Sequence, residues 1–361
     1  MSIQGQKRTV HFIGIGGVGM SGIAELLLKL GHQVTGSDLS SSDSVQRLTS
    51  LGARVQIGHS AEIFQSGRPD VCVYSTAVQQ NNPEIEYCRK REIPVIRRAE
   101  MLAELMRLKR GIAVAGAHGK TTTTGMLSMF LQAAGLEPTV VIGGRFDAFG
   151  SNAAWGGGQW MVAEADESDG SFLRLSPEFA IVTNIDREHL DHYGRFENYL
   201  QAFVDFIDRL PFYGRAILSS DCEYLRSLRA QISKPRLWYG VDRSFEPDVL
   251  IEPIELGAQP SFRLRKKSND YKDVFFEGQL GVPGLHNIKN ATAALMMTSE
   301  LGVDLAKVTS AVTAFRGVQR RFELKGQFKG HQVVEDYAHH PTEIRATLSA
   351  ALGYFDGQKP M

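Results

Sequence analysis

Two glycine-rich stretches, each set between an apolar strand pattern and a helical one, constrain the fold of this chain more than any other feature. The first is GIGGVG, Gly14–Gly19, which follows the strand pattern Thr9–Ile15 and opens a helical pattern running to Leu30. Gly31 and His32 close that helix, and Gln33–Ser37 begins a second strand. The second stretch is GAHGKTTTT, Gly116–Thr124, between a strand at Ile112–Ala115 and a helix at Lys120–Ala134. Strand, turn, helix, strand is the opening of a doubly wound parallel sheet. Its recurrence predicts two α/β units, each with its own sheet.

The two loops suit different phosphates. In GIGGVG the glycines permit a tight turn, and the N–H groups and helix N-terminus favour a diphosphate. Asp38, at the end of the next strand, would hold a ribose in a nicotinamide enzyme, and a tight turn without ligand is the plain alternative. In GAHGKT, amides can wrap a triphosphate, Lys120 can neutralise a transferred phosphoryl group, and Thr121 can bind Mg²⁺. It departs from the full P-loop pattern GxxxxGK[ST], because Val114 stands where the first glycine belongs. A glycine loop with a surface lysine is the alternative there. An NAD-dependent oxidoreductase has no use for the second loop, and a simple ATPase none for the first. Together they predict a nucleotide-linked substrate on one sheet and ATP on the other.

Further strands are predicted at Val71–Ser75, Pro94–Ile96, Met161–Ala165 and Ala180–Asn184, with a helix at Ala99–Leu108 and a linker at Arg107–Gly111. AEADESDGS (Ala163–Ser171) and TNIDREHLDHYG (Thr183–Gly194) each follow a strand, where ligand sites of such sheets lie. The second crowds Asp186, Glu188, His189, Asp191 and His192 into one loop, which points to metal binding, although Mg²⁺ prefers oxygen donors to histidine. Trp238–Gly281 alternates apolar and polar residues, with a turn signal at Asn269-Asp270, and predicts hairpins. A helix follows near Asn287–Leu301, then a boundary near Arg320–Gly326, a strand at Val333–Asp336 and a helix at Pro341–Leu352.

Lys+Arg and Asp+Glu both number 40. That balance argues against a nucleic-acid or membrane-surface binder, which needs a basic excess. The three cysteines have no metal-binding spacing and read as reduced thiols. No apolar run approaches the roughly 20 residues of a membrane span, and the polar start MSIQGQKRTV shows no signal peptide. A cytoplasmic protein is expected.

Taken in order, HFIGIGGVGMSGIAELL, AGAHGKTTTT, AEADESDGSF, TNIDREHLDHYGRFENY, VPGLHNIKNATAA, GVQRRFE and DYAHHPTEI resemble the successive signatures of the Mur ligase family, over almost the whole chain. GIGGVGMSGIAE and HHPTE are similar to the branch that adds L-alanine. A sister branch, which reattaches recycled tripeptide, shares HHPTE. The resemblance implies ATP-dependent ligation of L-alanine to UDP-N-acetylmuramate through an acyl phosphate, in peptidoglycan synthesis. It implies an α/β fold: a Rossmann-like UDP-sugar domain (1–108), a central P-loop ATPase-like domain (109–321) and an incomplete third α/β domain for the amino acid (322–361). Gly16, Gly17, Val18, Gly19, Met20 and Ser21 would meet the diphosphate and Asp38 the uridine end, with Ser75 and Asn184 also on the UDP-sugar. Gly116, Ala117, His118, Gly119, Lys120, Thr121 and Thr122 would bind ATP, with Asn287 near the adenine and Arg321 and Asp336 reaching in from the linker and third domain. Thr121, Glu164 and His189 would hold Mg²⁺, and Lys120, Glu164 and His189 would be catalytic. The base that deprotonates the amine is not identified; His339 and His340 are candidates for it or for ordinary packing. A whole third domain would take about 100 residues. The short segment after Arg321 therefore predicts truncation, and with it the alternative of a remnant that binds nucleotide without ligating.

Overall fold

The computed structural model describes residues 6–75, 77–146 and 151–355; MSIQG at the start and DGQKPM at the end lie outside them. The first sheet is built from β1 (Thr9–Ile13), α1 (Val18–Lys29), β2 (Gln33–Asp38), α2 (Asp43–Ser50), β3 (Arg54–Ile57), β4 (Val71–Tyr74), α3 (Pro83–Lys90), β5 (Val95–Arg97) and α4 (Arg98–Met106). Its strands are parallel in the order β3-β2-β1-β4-β5. Strand order reverses at β1, so the GIGGVG turn stands at the switch point, where the crevice of such a sheet opens.

The second sheet begins with β6 (Arg110–Ala115), α5 (Lys120–Ala133), β7 (Thr139–Phe146), β8 (Ser151–Ala154), β9 (Trp160–Glu164) and β10 (Phe179–Val182). The short α6 (Leu190–Tyr193), α7 (Phe196–Asp208), β11 (Arg215–Ser219), α8 (Glu223–Ser227) and β12 (Arg236–Gly240) follow. Then come β13 (Val249–Glu255), β14 (Ser261–Lys266), β15 (Val274–Gln279), α9 (Leu285–Glu300) and α10 (Thr309–Ala314). Ten strands run β15-β14-β13-β12-β11-β10-β6-β9-β7-β8. The centre, from β7 to β13, is parallel, and β8, β14 and β15 are antiparallel edges. Strands β6, β9 and β10 are nearly continuous apolar runs because helices cover both faces. Met126, Leu127 and Phe130 of α5 and Ile288, Leu295 and Met297 of α9 fill one side. Phe203, Phe206 and Ile207 of α7 fill the other, in an apolar cluster that continues into α1 and α4 of the first sheet. A separate antiparallel pair, β16 (Glu323–Phe328) and β17 (His331–Glu335), and helix α11 (Pro341–Tyr354) follow. No helix among the described residues is long and apolar enough to cross a membrane.

Several expectations need correction. Arg110–Gly111, read as linker, already belongs to β6; its polar start is explained by Arg110, whose guanidinium pairs with Glu178 at 2.8 Å and lies 4.1 Å over the Trp160 ring. The hairpin reading of Trp238–Gly281 holds only from β13 onward, since β12 is parallel to β11 and to β13. The Asn269-Asp270 turn is real, with φ of 52° and 53°. The strands β7, β8, β11 and β16 and the helix α7 add elements that the sequence reading did not predict.

Phe172 anchors the acidic loop after β9, with its ring stacked at 4.9 Å on Phe206 and edge-on at 5.3 Å to Phe203. Phe172→Ala is expected to lower stability by about 3–5 kcal/mol, read as a fall in the urea midpoint.

Candidate active site

The loop Gly116–Gly119 leaves the carboxyl end of β6, between β10 and β9. Gly116 has φ +125°, and a Cβ there would run into the Thr183 hydroxyl and stand 2.8 Å from the Asn184 carbonyl. Only glycine fits such a contact in that conformation. Asn184, just beyond β10, clamps the loop: its Oδ1 accepts the His118 N–H and its Nδ2 donates to the His118 carbonyl, both at 2.9 Å. The Ala117 N–H donates to the Asn184 carbonyl at 3.1 Å.

Lys120 opens α5 and turns back over the loop. Its Nζ donates to the Gly116 carbonyl (2.6 Å), the Ala117 carbonyl (3.1 Å) and Glu167 Oε1 (2.7 Å). Burial alone would lower its pKa, but Glu167 and Glu164 outweigh burial and hold the ammonium above the ordinary lysine value. Glu164, at the end of β9, accepts from Thr121 Oγ1 (3.2 Å) and the Gly143 N–H (2.7 Å). Burial nonetheless raises its carboxyl above the usual range, against the pull of Lys120 and those donors. Asp166 shifts the other way: despite burial, Ser168, Lys120 and Arg98 hold it low.

His189 has a left-handed backbone, φ 58°. Its Nε2 lies 3.6 Å from both Glu167 Oε1 and Glu188 Oε2, and Glu167 raises its pKa against burial. The expected trio Thr121, Glu164 and His189 is thus divided between two groups. Thr121 and Glu164 touch each other, while His189 joins Glu167 and Glu188, with ligand atoms within 4.8 Å of one another. Lys120 is bonded to Glu167 between them. Glu167 was not singled out from the sequence, where the DES run was its only signal. It is buried, and its Oε2 has no hydrogen-bond partner, an acceptor left open for a cation.

Two cavities meet at this loop. The larger, about 410 Å³, is lined by His118, Gly119, Thr121 and Thr122, by Asn287 and Asn290 of α9, and by Arg321 and Asp336. The smaller, about 380 Å³, is lined by Lys120, Glu164 and Asp166 on one side and by Gly19, Ser75, Arg97 and Arg98 on the other. Arg98 pairs with Asp166 at 3.5 Å across the junction, and no sequence signal marked it.

The expected ATP residues gather around the larger cavity, apart from Gly116 and Ala117, whose carbonyls serve Lys120, and Lys120 itself, which lines the smaller cavity. The UDP-sugar set is more scattered. Gly19 and Ser75 line the smaller cavity. Met20 and Ser21 are buried in α1, with the Ser21 hydroxyl donating to the Val18 carbonyl, while Val18 is exposed. Gly17 is the N-cap of that helix. Asp38 Oδ2 accepts the Gly16 N–H at 2.8 Å, so this acid shapes the turn itself. Asn184, also expected on the UDP-sugar, lines the larger cavity with its amide engaged by His118, because β10 ends beside the Gly116–Gly119 loop.

The tail closes over the loop. His118 Nε2 meets Asp186 Oδ2 at 3.0 Å, its Nδ1 lies 3.5 Å from Glu343, and its ring stacks on His340 at 5.0 Å. Thr342 Oγ1 donates to Asp186 at 2.7 Å, and Arg321 pairs with Glu343 at 3.3 Å. His340 therefore packs on the P-loop, while His339 is exposed.

Two family descriptions match this chain: "Mur ligase family, catalytic domain" over residues 9–110 and "Mur ligase middle domain" over residues 114–298. The chain belongs to the Mur ligase family. Among its relatives, this Mur ligase is 50% identical to a UDP-N-acetylmuramate–L-alanine ligase of Trichlorobacter lovleyi, over 96% of this chain and 75% of that protein. It is 49% identical to one from Sorangium cellulosum, over 98% and 74%. Among solved structures, the UDP-N-acetylmuramate–alanine ligase of Thermotoga maritima aligns with a TM-score of 0.84 at 32% identity, covering 97% of this Mur ligase and 78% of that chain. A murein peptide ligase of Psychrobacter arcticus aligns with a TM-score of 0.81 at 28% identity, over 96% and 76%.

His286, beside Asn287 in the larger cavity, has its pKa held down to about 4 by burial, with Arg321 and Lys289 adding to the effect and Asp336 opposing it. The folded value lies below the unfolded value of about 6.5. The unfolded chain therefore binds more protons between the two, and stability that is complete above about pH 6.5 is lost as pH falls toward 4. From pH 7 to pH 5 this group should remove about 2 kcal/mol. His286→Asn should lose correspondingly less, measured by urea unfolding at both pH values.

Proposed function

We propose that this Mur ligase joins L-alanine to UDP-N-acetylmuramate in an ATP-driven reaction of peptidoglycan synthesis. The observation that carries the reading is the position of Lys120. It lines the cavity shared with Gly19 of the GIGGVG turn, while its neighbours Thr121 and Thr122 line the larger cavity. The relatives at 49–50% identity, all named as alanine ligases, support the choice of amino acid. In this reading residues 1–108 hold the UDP-sugar, 109–321 hold ATP, and 322–361 belong to the amino-acid side. A cytoplasmic setting suits the free cysteines.

A carboxylate is a poor electrophile, so the lactyl carboxylate would attack the γ-phosphorus of ATP, ADP would leave, and an acyl phosphate would form. The amine of L-alanine would then attack the acyl carbon, phosphate would leave, and the amine would give up a proton. Lys120 would exchange its loop carbonyls and Glu167 for the phosphoryl oxygens, where its charge counts most. Asn287, Arg321 and Asp336 would orient the nucleotide, and the Arg98–Asp166 pair would border the acceptor. Closure of the tail over the loop would keep water from the acyl phosphate. Mg²⁺ would neutralise charge on the transferred group. The oxygens of Thr121, Glu164 and Glu167 suit it, with Glu188 and His189 alongside, and the open Glu167 Oε2 supports that fit.

The murein peptide ligase of similar fold keeps a second acceptor in view, a preformed peptide in place of alanine. Incubation with Mg·ATP, UDP-N-acetylmuramate and either L-alanine or the tripeptide, followed by phosphate release and product mass, decides between them. Release that needs all three substrates and yields the alanine adduct is expected. Lys120→Met should slow it by about 100-fold or more, and chelation of Mg²⁺ should stop it. An adduct formed only with tripeptide, or no release at all, would overturn the reading.

A further inference from the structure

Beneath the GIGGVG turn lies a buried polar cluster that the ligation chemistry does not use. Glu84, in the first turn of α3, is completely buried. Its N–H is capped by Asn82 Oδ1 at 2.9 Å. Its carboxylate gathers groups from three separate elements. Oε2 meets His11 Nε2 of β1 at 2.8 Å and accepts the Ser37 hydroxyl of β2 at 2.7 Å. Oε1 accepts the Ser60 N–H, just after β3, at 2.9 Å. His59 Nδ1 lies 3.5 Å from Oε1 and 2.8 Å from Ser37 Oγ, and His11 Nδ1 meets Thr35 Oγ1 at 2.9 Å. A carboxylate this deep is tolerated only when its oxygens are well partnered. Here the partners lie within β1, near the end of β2 and just after β3, the elements around the turn.

Those partners shape the turn directly. The Ser37 carbonyl accepts the N–H groups of Gly14 (2.8 Å) and Ile15 (3.0 Å). The next residue, Asp38, takes the Gly16 N–H on its carboxylate at 2.8 Å. The Asp38 carbonyl accepts the Gly58 N–H at 2.8 Å, and Gly58 leads into His59 and Ser60. Glu84 therefore braces Asp38 from both sides, through Ser37 and through the 58–60 segment. Three consecutive amides of the turn, those of Gly14, Ile15 and Gly16, hang on residues it fixes.

We infer that Glu84 is a positioning residue for the UDP-sugar, holding the diphosphate turn in its binding shape through Ser37, Ser60 and Asp38. This rests on the reading of the first sheet as the UDP-N-acetylmuramate site. The P-loop stands on the other sheet, so ATP binding should not depend on Glu84.

Calorimetric titration of this chain, separately with UDP-N-acetylmuramate and with a non-hydrolysable ATP analogue plus Mg²⁺, tests it without requiring turnover. Glu84→Gln is expected to raise the Kd for UDP-N-acetylmuramate by about 10- to 100-fold and to leave that for the ATP analogue unchanged. Ser37→Ala, which removes the hydroxyl's contacts with Glu84 and His59 and leaves Glu84 its other partners, should move the same Kd in the same direction by less, and it decides the matter if Glu84→Gln does not fold. Ile85→Ala, at a fully buried position on the same helix, should lower the melting temperature without this split. Wild-type binding of the UDP-sugar with equal binding by both Glu84→Gln and Ser37→Ala would overturn the inference. So would parallel loss of both ligands, or an Ile85→Ala variant that reproduces the split. Failure of the wild-type chain to bind UDP-N-acetylmuramate would instead overturn the site reading beneath it.

Discussion

The contact on which the site depends is the Lys120 ammonium folded back onto its own loop. It is largely buried, and a charge in that position must be partnered. Two loop carbonyls and Glu167 supply the partners, with Glu164 close enough to help hold the proton in place. An incoming triphosphate would replace those partners by phosphoryl oxygens, so the lysine is poised by contacts that a ligand can take over.

The loop that carries Lys120 is shaped from outside itself. Asn184 fixes it from β10, and the His118 ring connects it to Asp186, Glu343 and His340. The first sheet reaches the same point through Arg98, which meets Asp166 beside Glu164. Movement of any of these elements would be felt at the loop. Proximity of this kind is what an enzyme joining three substrates needs, since most of its advantage comes from holding reactants in register.

Much of the framework was legible because its signals are local. GIGGVG, GAHGKT and the apolar runs before them fixed two strand–loop–helix units, and Asn269-Asp270 marked a real turn. Other elements were obscured by their own residues. The polar start of β6 resembled a linker, and β12 resembled a hairpin strand because it stands directly ahead of the true hairpin strands β13 to β15, while its parallel pairing with β11 and β13 leaves no local signal. Glu167 was hidden in an acidic run where several carboxylates were equally eligible.

By itself the sequence determined where the two glycine loops lie, since the glycines and the helix that follows each are set by neighbours in the chain. Only the tertiary structure decided how the side chains are shared among the loops. Strand β6 lies between β9 and β10, and that order sets Lys120 against Glu167 and His118 against Asn184. Asp38 turned out to brace its own glycine turn for the same reason, since β1 and β2 end side by side. Such pairings join residues far apart in sequence, and nothing in the local pattern encodes which of several equivalent carboxylates or amides will be nearest when the sheets close.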